Sequence, residues 1–285
     1  MNSQANFVLT LSCGDRKGIV AAVANCIASQ NCNICESAQY GDPETMRFFM
    51  RVSFTAPQGM TAAQFTSGFS PVATAYDLQW QLHDLAKKPR VLILVSKMGH
   101  CLNDLLYRNS AGQLPMDLAA VASNHTTWQS RVAHEGIPFH HLPITKDTKP
   151  QQEAKILDLV EREGIDLVIL ARYMQILSDD LSQKLAGKVI NIHHSFLPSF
   201  IGAKPYHRAH TRGVKMVGAT AHYVTADLDE GPIIEQDVSR VEHHHTVDEL
   251  VAQGRDTESQ VLARAVKYHL EHRILLNGDR TVIFK

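Results

Sequence analysis

Apolar residues alternate with polar ones before residue 88 and form unbroken runs after it, and this change constrains the fold more than any other feature. Alternation, as at Trp80 and Leu82, is typical of antiparallel strands with one covered face. The later runs at 91–95 and 167–170 are typical of parallel strands that helices cover on both faces. The sequence therefore predicts two domains that belong to different fold classes.

The order of predicted elements refines both assignments. Helical spacing between Ile19 and Ile27 and turn residues at 41–44 predict the order strand, helix, strand, strand, helix, strand for residues 1–85. That order is a ferredoxin-like βαββαβ layer. Helical patterns follow the apolar runs of residues 86–285, which predicts a doubly wound, mostly parallel, Rossmann-like sheet.

Composition excludes several classes of partner. The formal net charge is −1 and no basic run is present, so we expect no nucleic acid partner. No stretch reaches the roughly 20 apolar residues of a membrane span, so we expect a cytoplasmic protein without a membrane partner. Five cysteines include a C-x-x-C at Cys32 and Cys35. No second ligand pair lies nearby, so we expect reduced structural thiols rather than a metal site.

Polar side chains follow two of the predicted strands, where ligands of doubly wound sheets bind. Asn191 and His193 come directly after the apolar pair 189–190, and His222 lies in a later strand candidate. An acidic loop with Asp229 follows that strand. An amide, an imidazole and a carboxylate at strand ends can form an acid–base site.

Such a set suits attack on a carbonyl group. Asn191 and an imidazole can donate to the developing oxyanion, each contributing about 3 kcal/mol in the transition state, and Asp229 can steer protons. On an extended chain His193 points to the same side as Asn191, whereas His194 points to the opposite side. We therefore expect His193 to be catalytic, and His194 to be structural or to support a catalytic residue without touching the substrate.

Three motifs resemble the family of folate-dependent formyltransferase folds. They are N-I-H at 191–193, S-F-L-P-S-F at 195–200 and H-Y-V-T-A-D-L-D-E-G-P at 222–232. The resemblance runs from about Arg90 to Lys285. It implies that Asn191, His193 and Asp229 are the catalytic residues and that His222 supports the acidic loop and the substrate site.

The segment L-A-R-Y-M-Q-I-L at 170–177 is similar to the family segment whose backbone holds the pterin ring of the folate. The resemblance implies substrate binding by Met174, Gln175, Ile176 and Leu177. Gln175 departs from the pattern, since an arginine is common there. This departure affects only a side-chain contact to the folate tail, because backbone groups would still bond the ring.

The acceptor of the formyl group is indicated by the loop after the first strand of the second domain. A phosphate-bearing acceptor needs a glycine-rich loop there, but residues 96–106 contain only Gly99, followed by the bulky His100, Cys101 and Leu102. This loop and the segment 199–224, which includes Gly202 as an expected substrate contact, resemble formyltetrahydrofolate deformylases. The resemblance implies hydrolysis of 10-formyltetrahydrofolate to formate and tetrahydrofolate, with no tightly bound cofactor and no metal. It also implies a part in one-carbon balance and in formate supply for purine biosynthesis.

The N-terminal segment 12–37 resembles an ACT domain, the small regulatory fold that such deformylases carry. The resemblance implies an amino-acid effector site at Asp15, Arg16, Lys17 and Gly18, although these residues could equally be solvated charges at a helix start. ACT domains pair through sheet edges, so the resemblance also implies a homo-oligomer.

The residues alone leave four alternative functions open. Histidines at 207, 210 and 243–245 could hold a catalytic metal, although H-E-x-x-H is absent and the triple run adjoins a predicted helix start at Thr246. Ser195 could be a nucleophile, although no G-x-S-x-G surrounds it. Another formyl acceptor, such as an amino sugar, is possible. A sensor that binds folate or an amino acid without turnover would not need all three catalytic residues.

Overall fold

Two large sheets, one antiparallel and one mostly parallel, organise the chain in a computed structural model, which describes residues 5–198 and 205–285. Contacts divide the chain into two units. One unit is the chain up to Lys88 together with Glu271–Lys285, and the other is Pro89–Leu270.

The first unit has the predicted ferredoxin-like order. Its antiparallel strands lie in the order β2-β3-β1-β4. The elements are β1 (Ala5–Gly14), α1 (Ile19–Ser29), β2 (Asn33–Asp42), β3 (Arg47–Ala56), α2 (Ala62–Tyr76) and β4 (Gln79–Asp84). One hydrophobic core lies between the sheet and the two helices. It includes Val23 and Ile27 on α1 and Phe65 and Phe69 on α2.

The second unit contains a seven-stranded sheet in the order β11-β10-β9-β8-β5-β6-β7. Strands β5 to β9 pair in parallel with one another, whereas β10 pairs antiparallel with both β9 and β11. This architecture confirms the predicted mostly parallel sheet. The strands are β5 (Arg90–Val95), β6 (Asp117–Ser123), β7 (Phe139–His141), β8 (Leu167–Leu170), β9 (Val189–His193), β10 (Met216–Tyr223) and β11 (Ile233–Arg240). The helices are α3 (His100–Ser110), α4 (Gln129–His134), α5 (Lys149–Arg162), α6 (Asp179–Lys184), α7 (Pro205–Arg212) and α8 (Val247–Leu270).

The C-terminal end of the chain groups with the first unit by its contacts, whereas the sequence predicts a second domain that runs to residue 285. After α8 the chain forms the hairpin β12 (Ile274–Asn277) and β13 (Arg280–Ile283), which belongs to the first unit. Asn277 donates to the carboxylate of Asp42 at 2.6 Å, and Arg51 donates to the backbone carbonyls of Glu271 and His272. The four-residue strands β12 and β13 are too short to carry a sequence pattern that would assign them to one unit or the other.

These contacts also correct the expectation of an open second face on the antiparallel sheet. Val8, Phe49 and Arg51 are buried, although they alternate with the core-facing residues of β1 and β3. Arg51 is the only one of these three with a charge, and its guanidinium contacts carbonyls of the C-terminal segment and Glu36. The C-terminal segment therefore covers part of the face that the alternation assigned to solvent.

No helix in the described part of the chain has the length and apolar character that a membrane span requires. All five cysteines are free thiols, four of them buried and Cys35 exposed. Burial raises the pKa of the Cys32 thiol, the buried member of the C-x-x-C pair.

Candidate active site

A cavity of about 460 Å³ lies beyond the carboxyl ends of β8 and β9, the edge where sites occur in doubly wound sheets. Its walls come from the end of β8 and the segment after it, from the end of β9, and from the loop after β10. The predicted residues that line it are Asn191, His193, Asp229, His222, Met174, Gln175, Ile176 and Leu177. Gly202, also predicted to contact substrate, lies outside the described residues.

Asn191 and His222 face each other across the antiparallel pair β9–β10. Nδ1 of His222 donates to the backbone carbonyl of Tyr223 at 2.9 Å, so Nε2 of the neutral ring is an acceptor. Nδ2 of Asn191 lies 3.2 Å from that Nε2 and donates to it. This contact orients the amide and leaves its second N–H for another acceptor.

Asp229 reaches this cluster from the hairpin loop between β10 and β11. The loop turns back because the N–H of Tyr223 bonds the carbonyl of Pro232 at 3.0 Å and because Gly231 packs directly against the Tyr223 carbonyl. Asp229 itself adopts a left-handed conformation, with φ of 59°, which aspartate tolerates better than most residues.

The carboxylate of Asp229 contacts two imidazoles. Oδ2 lies 3.2 Å from Nδ1 of His193, and Oδ1 lies 3.5 Å from Nε2 of His222. The hydrogen bond from His193, and then the contact with the His222 ring, hold the pKa of Asp229 well below its usual range. Asp229 is therefore an anion at neutral pH.

His193 has one ring nitrogen engaged and one available. Nδ1 donates to Asp229, whereas Nε2 is buried and has no hydrogen-bond partner among the residues that the structure describes. Buried polar atoms of native proteins are rarely left unpaired without a ligand or a mechanistic reason. His193 itself is one of the residues that line the cavity.

His194 departs from the sequence-based expectation. We expected it to point away from the cavity, but it lines the cavity and its ring contacts that of His193, with centroids 4.9 Å apart. The alternation does not apply because β9 ends at His193. Burial, and then the positive charge of Arg172, lowers the pKa of His194 to about 4, so this ring is neutral at pH 7.

The segment 174–177 is held at the cavity by residues that sequence reasoning missed. The N–H of Met174 donates to Oγ of Ser96 at 3.0 Å, and the N–H of Ser178 donates to the buried carboxylate of Glu153 at 2.8 Å. Glu153 carries no motif of its own, and Ser96 begins the loop 96–106, in which the resemblance assigned it no role. A glutamate on the buried face of an amphipathic helix was the available signal for Glu153.

Arg172 and Glu258 form a further pair that the sequence did not single out. Arg172 lines the cavity and is 6% exposed, and its Nε lies 3.3 Å from Oε2 of Glu258 on α8. Glu258 is 1% exposed and accepts hydrogen bonds from His100 and Tyr206. The residues are far apart in sequence, so only the fold reveals their association.

One group in the described part of the chain has the spacing of a metal site, namely His100, Cys101 and Glu258. Both carboxylate oxygens of Glu258 already accept hydrogen bonds, and one also faces Arg172. Burial raises the pKa of Cys101 far above that of a metal-binding thiolate. The donors therefore fit an internal hydrogen-bonded network better than a cation.

The other candidates from the sequence lie apart from this cavity lining. His207 and His210 are exposed on α7. The run 243–245 precedes α8, where Thr246 and Glu249 form reciprocal capping bonds. Ser195 is buried after β9, and its carbonyl accepts from Thr220.

The predicted effector residues Asp15, Arg16, Lys17 and Gly18 are all exposed. Arg16 donates to the carbonyl of Ala75 at 2.6 Å and lies over the ring of Tyr76, so it caps the end of α2. This arrangement gives Arg16 a structural role, while the effector role of the four residues remains a prediction.

Comparisons with known proteins agree with this geometry. Residues 89–266 match the family model described as formyl transferase. A formyltetrahydrofolate deformylase of Corynebacterium sp. (strain P-1) is 52% identical over 288 residues, covering 100% of both chains. The crystal structure of a formyltetrahydrofolate deformylase from Burkholderia mallei ATCC 23344 has 53% identity and a TM-score of 0.94, covering 99% of this chain and 100% of that chain.

A glycinamide ribonucleotide transformylase 1 from Symbiobacterium toebii is more distant, with 28% identity and a TM-score of 0.65 over 72% of this chain and 98% of that chain. The doubly wound sheet and the site at its edge thus define a protein of the formyl transferase class. Within that class, the chain belongs to the formyltetrahydrofolate deformylase family, whose members match it along nearly its whole length.

Proposed function

We propose that the protein hydrolyses 10-formyltetrahydrofolate to formate and tetrahydrofolate. The observation that carries this proposal is the convergence of Asn191, His193 and Asp229 on one cavity. Family membership supports the same reaction, since relatives 40–52% identical over nearly the whole chain bear the name of that deformylase. Folate enters as a substrate, so the reaction needs only this substrate and water, without a tightly bound cofactor.

The apolar rim of the cavity suits a flat ring system. Met174, Ile176 and Leu228 line it and are 54%, 61% and 58% exposed, respectively. Large apolar side chains that cluster in the open around a cavity mark a ligand site. Met174–Leu177 would hold the pterin through backbone groups and apolar contact, Gln175 would lie beside it, and His222 would back the site from β10.

The oxyanion is stabilised by Asn191 and His193. The amide of Asn191 is fixed by His222 and retains one N–H for the formyl oxygen. Protonated His193 would direct its unpartnered Nε2–H to the same oxygen, while Nδ1–H stays on Asp229. Each such donor is worth about 3 kcal/mol in the transition state, because it points to the site where charge develops.

Asp229 has two tasks in this scheme. Its carboxylate accepts the Nδ1–H of His193 and so orients that ring, and it accepts a hydrogen bond from the attacking water. A carboxylate of low pKa is a weak base towards free water, but the water becomes acidic as its oxygen bonds the formyl carbon. The proton passes to the carboxylate, which then delivers it to N10 of the folate as the carbon–nitrogen bond breaks with its electron pair on N10.

We further propose that residues 1–85 form an ACT-like regulatory domain, with Asp15 to Gly18 as an amino-acid effector site. The sheet edges of such a domain support a homo-oligomer. Five free thiols and the folate substrate fit a cytoplasmic enzyme. There it would balance the one-carbon pool and release formate that purine biosynthesis can use.

The experiment that tests the proposal is formate release from 10-formyltetrahydrofolate by the wild-type protein and by Asp229→Asn. We expect the wild type to release formate without any added amine. The variant should lose about 10³-fold in kcat, because it loses the anion that supports His193 and accepts the proton.

Glu230→Gln is the matched control, since it removes a neighbouring exposed carboxylate from the same loop. Its kcat should stay close to that of the wild type. Normal formate release by a folded Asp229→Asn protein would remove Asp229 from the mechanism. Formate release that requires an amine would replace the hydrolase by a transferase, and folate binding without turnover would leave only a sensor.

A further inference from the structure

Arg172 is held in a backbone conformation that arginine rarely adopts. Its φ is 62°, in the left-handed region, and its carbonyl accepts from the N–H of Ser96 at 3.2 Å. Eight glycines of the described chain have positive φ, and a glycine would fit this turn without strain. A strained non-glycine residue at the edge of a site points to a function of its side chain.

The side chain of Arg172 is buried between the cavity and α8. Its Nε lies 3.3 Å from Oε2 of Glu258 but is not aligned for a hydrogen bond, and it has no hydrogen-bond partner among the described residues. Among the described residues, Nη2 has the sulfur of Met98 as its hydrogen-bond partner, at 4.0 Å. The guanidinium is therefore fixed by charge and packing more than by hydrogen bonds, which suits a residue that fills space.

Glu258 fixes the position of that guanidinium from behind. Oε1 accepts from the hydroxyl of Tyr206 at 2.6 Å, and Oε2 accepts from Nε2 of His100 at 2.7 Å. His100 is the first residue of α3, which follows β5. Strand-to-helix corners of this kind bind anionic groups when their backbone N–H groups are accessible. Here the corner is occupied by the protein's own imidazole and carboxylate.

The lining of the cavity shows where Arg172 stands. Arg172 and His194 are lining residues, whereas His100, Tyr206 and Glu258 are not among them. Arg172 thus lies between the reaction cavity and the buried cluster of His100, Tyr206 and Glu258. Truncation of its long side chain would enlarge the cavity on that side, which would give room for an acceptor larger than water.

We propose that Arg172, held by Glu258, closes the acceptor side of the cavity and so selects water over an amine as the acceptor of the formyl group. This inference rests on the proposed hydrolase function and names the residue that sets its specificity. The pair acts by exclusion, so it affects the partition between two products more than the rate of carbonyl attack.

The competing reaction in an opened site is formyl transfer to an amine. The amine nitrogen forms a bond to the formyl carbon with its lone pair, and the bond from that carbon to N10 breaks with its electron pair on N10. The amine loses one proton and N10 gains one. The products are a formamide and tetrahydrofolate, with no oxidant, reductant or further reactant.

The test compares the wild type, Arg172→Gly and the double variant Arg172→Gly/Glu258→Gln, with glycinamide as a small neutral amine. Formate and N-formylglycinamide are quantified together from 10-formyltetrahydrofolate at increasing glycinamide concentration. Arg172→Lys is the matched control, because lysine keeps the charge and most of the filling side chain. The double variant covers the case in which an unpaired buried Glu258 prevents the single variant from folding.

We expect the wild type and Arg172→Lys to make formate almost exclusively. In Arg172→Gly or the double variant, the ratio of formamide to formate should rise by about tenfold or more and should increase with glycinamide. A folded double variant with the ratio of the wild type would overturn the inference and leave the hydrolase intact. A wild type that releases no formate without glycinamide would instead overturn the proposed function.

Discussion

Gly231 offers the sharpest test of how the acidic loop is built. A Cβ placed on Gly231 would lie 1.8 Å from the carbonyl oxygen of Tyr223. Real Cβ contacts essentially never fall under 3.0 Å, so the two groups must separate by at least about 1.2 Å, from 3.0 minus 1.8. Tyr223 ends a strand that is paired on both sides, and the loop therefore has to move.

Asp229 lies two residues before Gly231, and its Oδ2 is 3.2 Å from Nδ1 of His193. A shift of about 1 Å would break this hydrogen bond, and displacements of that size can cost about 10²-fold in rate. We expect Gly231→Ala to lower kcat by about that factor with a smaller change in KM. Because the lost bond is a main cause of the low pKa of Asp229, that pKa should rise, and the acid limb of the rate profile should move to higher pH.

The assay is formate release across a pH series, together with thermal unfolding of each protein. Gly14→Ala is the control, since a Cβ added at Gly14 would meet nothing within 4 Å and the residue has no positive φ. It should match the wild type in both measurements. A Gly231→Ala protein that unfolds at the temperature of the control and keeps kcat within about twofold would refute the reasoning.

Two further predictions concern the loop at the cavity and the first unit. Glu153→Ala removes the acceptor for the N–H of Ser178, so KM for the folate should rise about fivefold with little change in kcat, while the exposed Glu161→Ala on the same helix should change neither. Burial, and then the charge of Arg51, lowers the pKa of His83 from 6.5 to about 4. The neutral, buried ring of His83 therefore makes its full contribution to the free energy of unfolding above pH 6.5. This contribution is lost as the pH falls towards 4, and the loss is about 1–2 kcal/mol at pH 5. His83→Gln should therefore reduce the fall in melting temperature between pH 7 and pH 5. A fall as large as that of the wild type would show that the pKa of His83 is not lowered in the folded protein.

Much of the fold could be predicted because local patterns coincide with the elements that form. The unbroken runs at 91–95 and 167–170 became central parallel strands, and the βαββαβ order followed from alternation and turns. The C-terminal hairpin could not be assigned to the first unit from such patterns. Its attachment depends on single long-range contacts, such as that between Asn277 and Asp42, which leave no periodic signal.

The candidate catalytic set was predictable for a different reason. Asn191, His193 and Asp229 occur in short motifs whose spacing is distinctive, so the resemblance located them, and all three line one cavity. The pair of Arg172 and Glu258 could not be found in this way. Arg172 lies inside the motif 170–177, but its partner is 86 positions away, from 258 minus 172, in a helix that carries no motif. His194 was misjudged because the alternation of a strand ceases where the strand ends.

The antiparallel strand β10, which adjoins the parallel strands, explains why the carboxylate of Asp229 lies on a loop with an unusual backbone conformation. In an all-parallel sheet, each functional side chain would sit on the loop after its own strand, at the same edge. Here β10 runs against β9, so it ends beside Ile190 and its loop has to return along the strand to reach His193. The return requires a left-handed residue at Asp229 and the absence of a Cβ at Gly231. The spacing of aspartate and glycine in L-D-E-G-P is thus a geometric condition for placing the carboxylate between two imidazoles.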